Sequence, residues 1–306
     1  MMTQSRFDLV TVGHFAVDTI SSPRITPPIT VVGGPSTYVS IAAAKLGAKV
    51  SVISKVGEDF SIEYEKWLET NHVDLSGLQH VANEVTTRFI LQYQNPDKRK
   101  LRLRAQAPQI MARDVPPSLK ANAIHVAPIA NELSNSVIKK LRTCTGTLSL
   151  DPQGFTRTFD SDGSMHLKRW ASAQILKQID VYKSSSDEIR MVTGIADLRQ
   201  AARKIGDHGV KVIIVTKGFE GSLLCVNDAL HNVPAYESPR VIDPTGAGDA
   251  YIGAFLAEYI RDKDPLWCAS VGSASASFVV EDIGPRRFGD KQETYERAEQ
   301  IYQKVT

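Results

Sequence analysis

The chain has 306 residues, 42% of them hydrophobic, and its lysines and arginines exceed its acidic residues by only two. That length allows one large core, or a core with a small appendage, and argues against a multidomain array. The near-neutral balance excludes a global field for nucleic acid and leaves only local basic stretches such as 98–104.

The chain enters a strand-like run at Phe7–Val12 without a basic segment followed by an apolar one. Short β-rich runs are predicted over 8–12, 50–53, 123–126, 147–150, 181–182 and 212–215. Helical spacing falls between them at 36–46, 62–70, 134–141, 167–179, 198–207 and 248–260. The βαβα order implies a largely parallel sheet covered on both faces. Two segments, about 17–33 and 86–105, break the rhythm. The second reads as a hairpin turning at Asn95-Pro96-Asp97-Lys98, and together they are expected to form a small sheet over a cleft, in the manner of a lid, or a plain edge extension. Cys144, Cys225 and Cys268 are far apart, fit no zinc spacing and sit in apolar stretches, which suits a reducing compartment. No stretch approaches the roughly 18 apolar residues of a membrane span. The expectation is one soluble, cytoplasmic domain over 1–306, with neither nucleic acid nor membrane as partner.

The sharpest signal is Asp243-Pro244-Thr245-Gly246-Ala247-Gly248-Asp249, followed by helical apolar spacing. A glycine-rich turn that opens a helix is an anion site, because successive N–H groups and the positive helix end point at a phosphate. Asp249 falls in the first turn of that helix, beside the anion. A carboxylate there is awkward unless it accepts a proton from an attacking hydroxyl while the amides of Gly246, Ala247 and Gly248 stabilise the transferring phosphoryl charge. Taken alone, Asp249 is also an ordinary first-turn acid favoured by the helix dipole. No GxxxxGK[ST] loop occurs, and the third glycine of a dinucleotide fingerprint is replaced by Tyr251, which disfavours a Rossmann oxidoreductase.

The seven-residue string resembles the signature of the ribokinase-like, or PfkB, carbohydrate kinases. The resemblance extends to Gly33-Gly34-Pro35-Ser36, to Asp18 and to Val215-Thr216-Lys217-Gly218-Phe219-Glu220-Gly221. It implies a three-layer α/β/α fold with a mostly parallel central sheet and a small β-sheet lid. It also implies Mg2+ and ATP as cofactors, Asp249 as general base, Thr216, Gly218 and Gly221 near the nucleotide phosphates, and Asp18, Gly33 and Gly34 at the acceptor. Gly272, Ser273 and Ala276, on a helix over about 267–280, would line the adenine pocket, although such small residues equally serve close helix packing. Where relatives carry Asn-x-x-Glu, this chain has Ser185 and Glu188, so Glu188 would reach magnesium through water.

Asp151-Pro152-Gln153-Gly154-Phe155-Thr156-Arg157 resembles a string of the myo-inositol kinase branch, which implies that Gln153 and Arg157 grip a polyol acceptor. A nucleoside kinase for cytidine, inosine or adenosine stays open through Phe89 and Tyr93, as does a ribose or sugar-acid kinase. An inactive nucleotide-binding relative is the reading without an enzyme. The lid implies closure over the acceptor or pairing into a homodimer.

Overall fold

The computed structural model describes residues 7–23, 25–95 and 98–305. Among them, ten strands form one sheet. From one edge the order is Ala229–Val233, Ser222–Val226, Val212–Thr216, Val181–Ser185, Thr145–Leu150, Ala121–Val126, Phe7–Val12, Val50–Gly57 and Val73–Asp74, with Leu78–Val81 also on Val50–Gly57. Every neighbouring pair is parallel except the two made by Ser222–Val226, which runs antiparallel to both Val212–Thr216 and Ala229–Val233.

Alternate residues of each central strand feed two cores. Leu9, Val52, Val181 and Ile214 pack under Pro35–Lys45, Ala247–Tyr259 and Pro265–Val279, while Val10, Ile124, Tyr182 and Ile213 face Asn135–Arg142, Ser186–Thr193 and Leu198–Gly206. This is the expected three-layer arrangement, in which both sheet faces are covered and the strands read as near-continuous apolar runs.

The two off-rhythm segments pair as expected. Ile25–Gly33, Ala16–Ser22, Thr87–Asn95 and Lys98–Ala105 form a second, four-stranded sheet in that order. The hairpin is antiparallel, with Leu91 opposite Leu101; its turn, Pro96 and Asp97, lies outside the described residues. Both edges of this sheet oppose strand addition. Pro27 and Pro28 lack amide donors on one, and Lys100, Arg102 and Arg104 stand exposed on the other.

The helix expected over 167–179 is corrected. Met165–Leu167 pairs instead with Arg157–Phe159, and the helix is reduced to Ala173–Leu176 behind an N-cap at Ser172. The apolar spacing there is real, but tertiary partners claim it: the Trp170 amide donates to Met191 O at 3.2 Å and the Trp170 ring stacks on Phe155 at 4.9 Å. No helix among the described residues is long and apolar enough to cross a membrane.

Candidate active site

The ligand-facing groups come from the C-terminal ends of the parallel strands and from the small sheet, the usual place for a site in an open α/β sheet. Asp249 lies in the first turn of Ala247–Tyr259, whose N-cap Gly246 has φ +77°. A side chain at Gly246 would also strike the Tyr38 ring at 2.3 Å, so both backbone and space demand glycine. The turn before it hangs on Asp243, which is fully buried. Its Oδ1 accepts from the Thr245 amide at 3.0 Å and the Thr245 hydroxyl at 2.6 Å, and its Oδ2 accepts from the Gly284 amide at 2.9 Å. The Ala247 amide is partly committed, donating to Pro244 O at 3.3 Å.

Gln153 and Arg157 are brought to the same place by a tight turn after Thr145–Leu150. The Gln153 amide donates to Asp151 Oδ1 at 3.1 Å, and the Gly154 amide donates to Pro128 O at 2.8 Å. Gln153 Nε2 then donates to Asp249 Oδ1 at 3.3 Å. Asp18, from the small sheet, folds over Gly33, where an added Cβ would sit 2.0 Å from its Oδ2. Gly34 lies beside it at φ +79°. Asp18, Gly34, Tyr38, Gln153, Arg157 and Asp249 therefore line one cavity of about 60 Å³, closed on its other side by Phe89, Leu91, Arg99 and Leu101 of the hairpin and by Ile129. Tyr93, expected at the acceptor, instead turns its hydroxyl to Thr245.

Burial raises Asp249 to about 6, Lys183 and Arg157 opposing the rise and Asp151 and Glu188 adding to it. Burial raises Asp18 to about 7, with Arg99 pulling the other way. Asp18 Oδ1 and the Tyr38 hydroxyl are buried without a partner among the described residues. A buried carboxylate left so is costly in the free protein, and a ligand hydroxyl would relieve it. The folded chain binds a proton at Asp18 that the unfolded chain, with the ordinary carboxylate value of 3.8, has lost. Stability from this group is therefore full below about pH 4 and falls as pH rises through 7. We predict that Asp18→Asn raises Tm at pH 8, by ~2–4 °C per kcal/mol recovered, and changes it little at pH 4.5, while weakening acceptor binding. Scanning fluorimetry at both pH values checks the sign.

Two chemically important residues escaped the sequence reading. Lys183, 5% exposed, holds Asp151 Oδ2 at 2.6 Å, and a Cβ on Gly248 would lie 2.9 Å from its Nζ. A fixed cation therefore stands beside the glycine turn and Asp249. Its signal was a lone lysine on an interior strand, where an unpaired charge is not tolerated. Arg99 read as part of a basic surface stretch, but the strand period of two places it on the cavity side with Leu101.

The sequence profile of the pfkB family carbohydrate kinases matches residues 14–291. The chain belongs to this family. Its members are ATP-dependent phosphotransferases that act on hydroxyl groups of sugars and nucleosides. Similar proteins include the cytidine kinase of Thermococcus kodakarensis, 29% identical over 90% of this chain and 97% of that one. The inositol 3-kinase of Zea mays is 27% identical over 85% of this chain and 68% of its own. Among solved structures, a pyrophosphate-dependent kinase of the ribokinase family complexed with a pyrophosphate analogue and myo-inositol superposes with a TM-score of 0.81 over 94% of this chain and 99% of that one, at 23% identity, a likeness of fold.

Within this pfkB chain, Glu188 is held from two sides. Ser185 and Glu188 form a capping box at the start of Ser186–Thr193, the Ser185 amide donating to Oε2 at 2.8 Å, while Oε1 faces Arg157 at 3.8 Å. Arg157 therefore has a buried carboxylate partner as well as a cavity wall. Thr216 ends the neighbouring strand, and its carbonyl accepts from Ser186 Oγ at 3.4 Å, which sets the Gly218–Glu220 turn beside that helix start. Gly218 there faces open space at φ +59°, while Gly221 is glycine because Val233 O passes 2.1 Å from where its Cβ would be. The helix expected at the adenine is used mainly for packing. Gly272 lies against Tyr251, Ser273 Oγ donates to Pro234 O at 2.9 Å, and Ala276 alone of the three is partly exposed.

Proposed function

We propose that this pfkB kinase phosphorylates a hydroxyl of a compact polyol, best represented by myo-inositol, with Asp249 as general base. The observation that carries the reading is the pair of buried, unpartnered oxygens, Asp18 Oδ1 and Tyr38 Oη, on a cavity that also holds Gln153, Arg157, Arg99 and Asp249. Donors and acceptors both line this small space, as a ring bearing hydroxyls on every carbon requires. The likeness to the maize inositol 3-kinase supports the same acceptor.

Asp249 removes the acceptor proton as its oxygen attacks in line, and the Gly246 and Gly248 amides with Lys183 receive the charge of the transferring group. Thr216 and Gly218 hold the nucleotide phosphates, and Ala276 borders the base. Magnesium on those phosphates would neutralise charge, and it fits a site with few carboxylates because it keeps most of its waters, Glu188 orienting one of them. Among the described residues no cluster of three or more His, Cys, Asp or Glu is built to cage a metal, in keeping with such a phosphate-held ion.

A nucleoside acceptor is the second reading, favoured by the apolar wall of Phe89, Leu91, Leu101 and Ile129 and by the likeness to the archaeal cytidine kinase. ADP release from Mg-ATP against myo-inositol, ribose, fructose, 2-keto-3-deoxygluconate, cytidine, inosine and adenosine separates the two. Turnover led by myo-inositol supports the proposal; turnover led by a nucleoside refutes the acceptor and keeps Asp249.

A further inference from the structure

The small sheet touches the anion-binding turn at one polar point. Tyr93, on Thr87–Asn95, is 8% exposed, and its hydroxyl lies 2.7 Å from Thr245 Oγ1. The direction of this bond follows from its neighbours. Thr245 Oγ1 stands 2.6 Å from Asp243 Oδ1, and because Asp243 is a carboxylate the threonine proton goes there. The Tyr93 hydroxyl must then donate to Thr245, which leaves its own lone pairs to accept from Arg99 Nη1 at 3.5 Å. The result is a one-way chain from Arg99 through Tyr93 and Thr245 to Asp243, ending on a fully buried charge that also takes the Gly284 amide. Such chains polarise each member in turn.

The two ends of the chain touch different parts of the reaction. Arg99 lines the acceptor cavity with Phe89, Leu91 and Leu101 from the same hairpin. Thr245 directly precedes Gly246, the N-cap of the helix that carries Asp249. We propose that Tyr93 is a positioning residue, which fixes the Gly246–Gly248 turn for phosphoryl transfer through Thr245 when the hairpin covers the acceptor. The turn has its own tie to Asp243, so it keeps its general shape with the hairpin raised. What the phenol adds is the last restraint on Thr245, and this restraint exists only in the covered state. Chemistry is thereby tied to an enclosed acceptor, which disfavours transfer to water. The inference rests on the reading of the Gly246–Gly248 turn as the anion hole.

The test is a cycle of variants: Tyr93→Phe, Thr245→Val, their double, and Thr245→Ser, assayed with Mg-ATP and the acceptor that the unaltered chain turns over best. Tyr93→Phe keeps the ring among Leu91 and Leu101 and removes one hydrogen bond. The expected result is a kcat lower by about 5- to 10-fold, the size of one such bond, with the KM for ATP unchanged. Thr245→Ser should stay within about 2-fold of the unaltered chain, since it keeps the hydroxyl, and Tyr93→Phe should add less than about 2-fold in the Thr245→Val background. Independent, multiplying effects in the double variant would overturn the proposal, as would a Tyr93→Phe that lowers Tm while leaving kcat unchanged. Asp249→Asn, run alongside, separates the two levels: its full activity would sink the assignment of Asp249 and its turn to the reaction, whereas an inactive Asp249→Asn beside a fully active Tyr93→Phe sinks the relay alone.

Discussion

Asp249→Asn is expected to keep ATP binding and to lose kcat by ~10²–10⁴-fold. The amide has the carboxylate's shape, and its Oδ1 can still accept from Gln153 Nε2, so the turn and the cavity wall remain in place. ATP affinity should hold or rise, because a negative charge leaves the neighbourhood of the phosphates. What is lost is the proton acceptor. In the unaltered chain, burial sets Asp249 at about 6, so kcat should fall as pH drops through that value and level off above it. The variant should lack this acidic limb. A kcat profile from pH 5 to 9, with ATP affinity measured by calorimetry, checks both halves.

Lys183→Met is expected to move the same limb to higher pH. Lys183 is the largest of the charges that hold Asp249 down, while Asp151 and Glu188 push it up. Removing the ammonium leaves those carboxylates opposed by Arg157 alone, so Asp249 stays protonated further into the neutral range. The loss of kcat should therefore be larger at pH 6.5 than at pH 8.5, a pattern that a general loss of folding would not give. The variant also strands Asp151, which meets Lys183 at 2.6 Å in a buried position, at a cost of ~3–5 kcal/mol. Asp151→Asn added to Lys183→Met should recover part of that stability and, because it also removes a carboxylate that pushes Asp249 up, return the limb part of the way toward lower pH. Urea unfolding of the three proteins and their pH profiles together decide the matter.

The parallel sheet was legible because strands such as Phe7–Val12 and Val212–Thr216 are buried on both faces and read as short apolar runs between periodic helices. The glycine turn was legible because Gly246 serves backbone angle and close approach at once, leaving no other residue workable there. The region after Arg157 was misread, since Leu167, Trp170 and Ile175 have helical spacing, yet a strand, a stacked ring and a short helix claim them in turn. Among the site residues, those in local strings were visible. Arg99 and Lys183 were not, because each acquires its role from a partner distant in sequence: Tyr93 belongs to the same hairpin, but Asp18 and Asp151 reach these cations only through sheet pairing. Gly272 shows the converse case, a small residue whose space is filled by Tyr251.

The identity of the product tests the proposed reaction most directly. Phosphorus NMR of a reaction containing the protein, Mg-ATP and myo-inositol is expected to show an inositol monophosphate ester growing with ADP, and no ester when Asp249→Asn replaces the unaltered chain. Inorganic phosphate as the only new signal, or an ester formed equally well by Asp249→Asn, would contradict it.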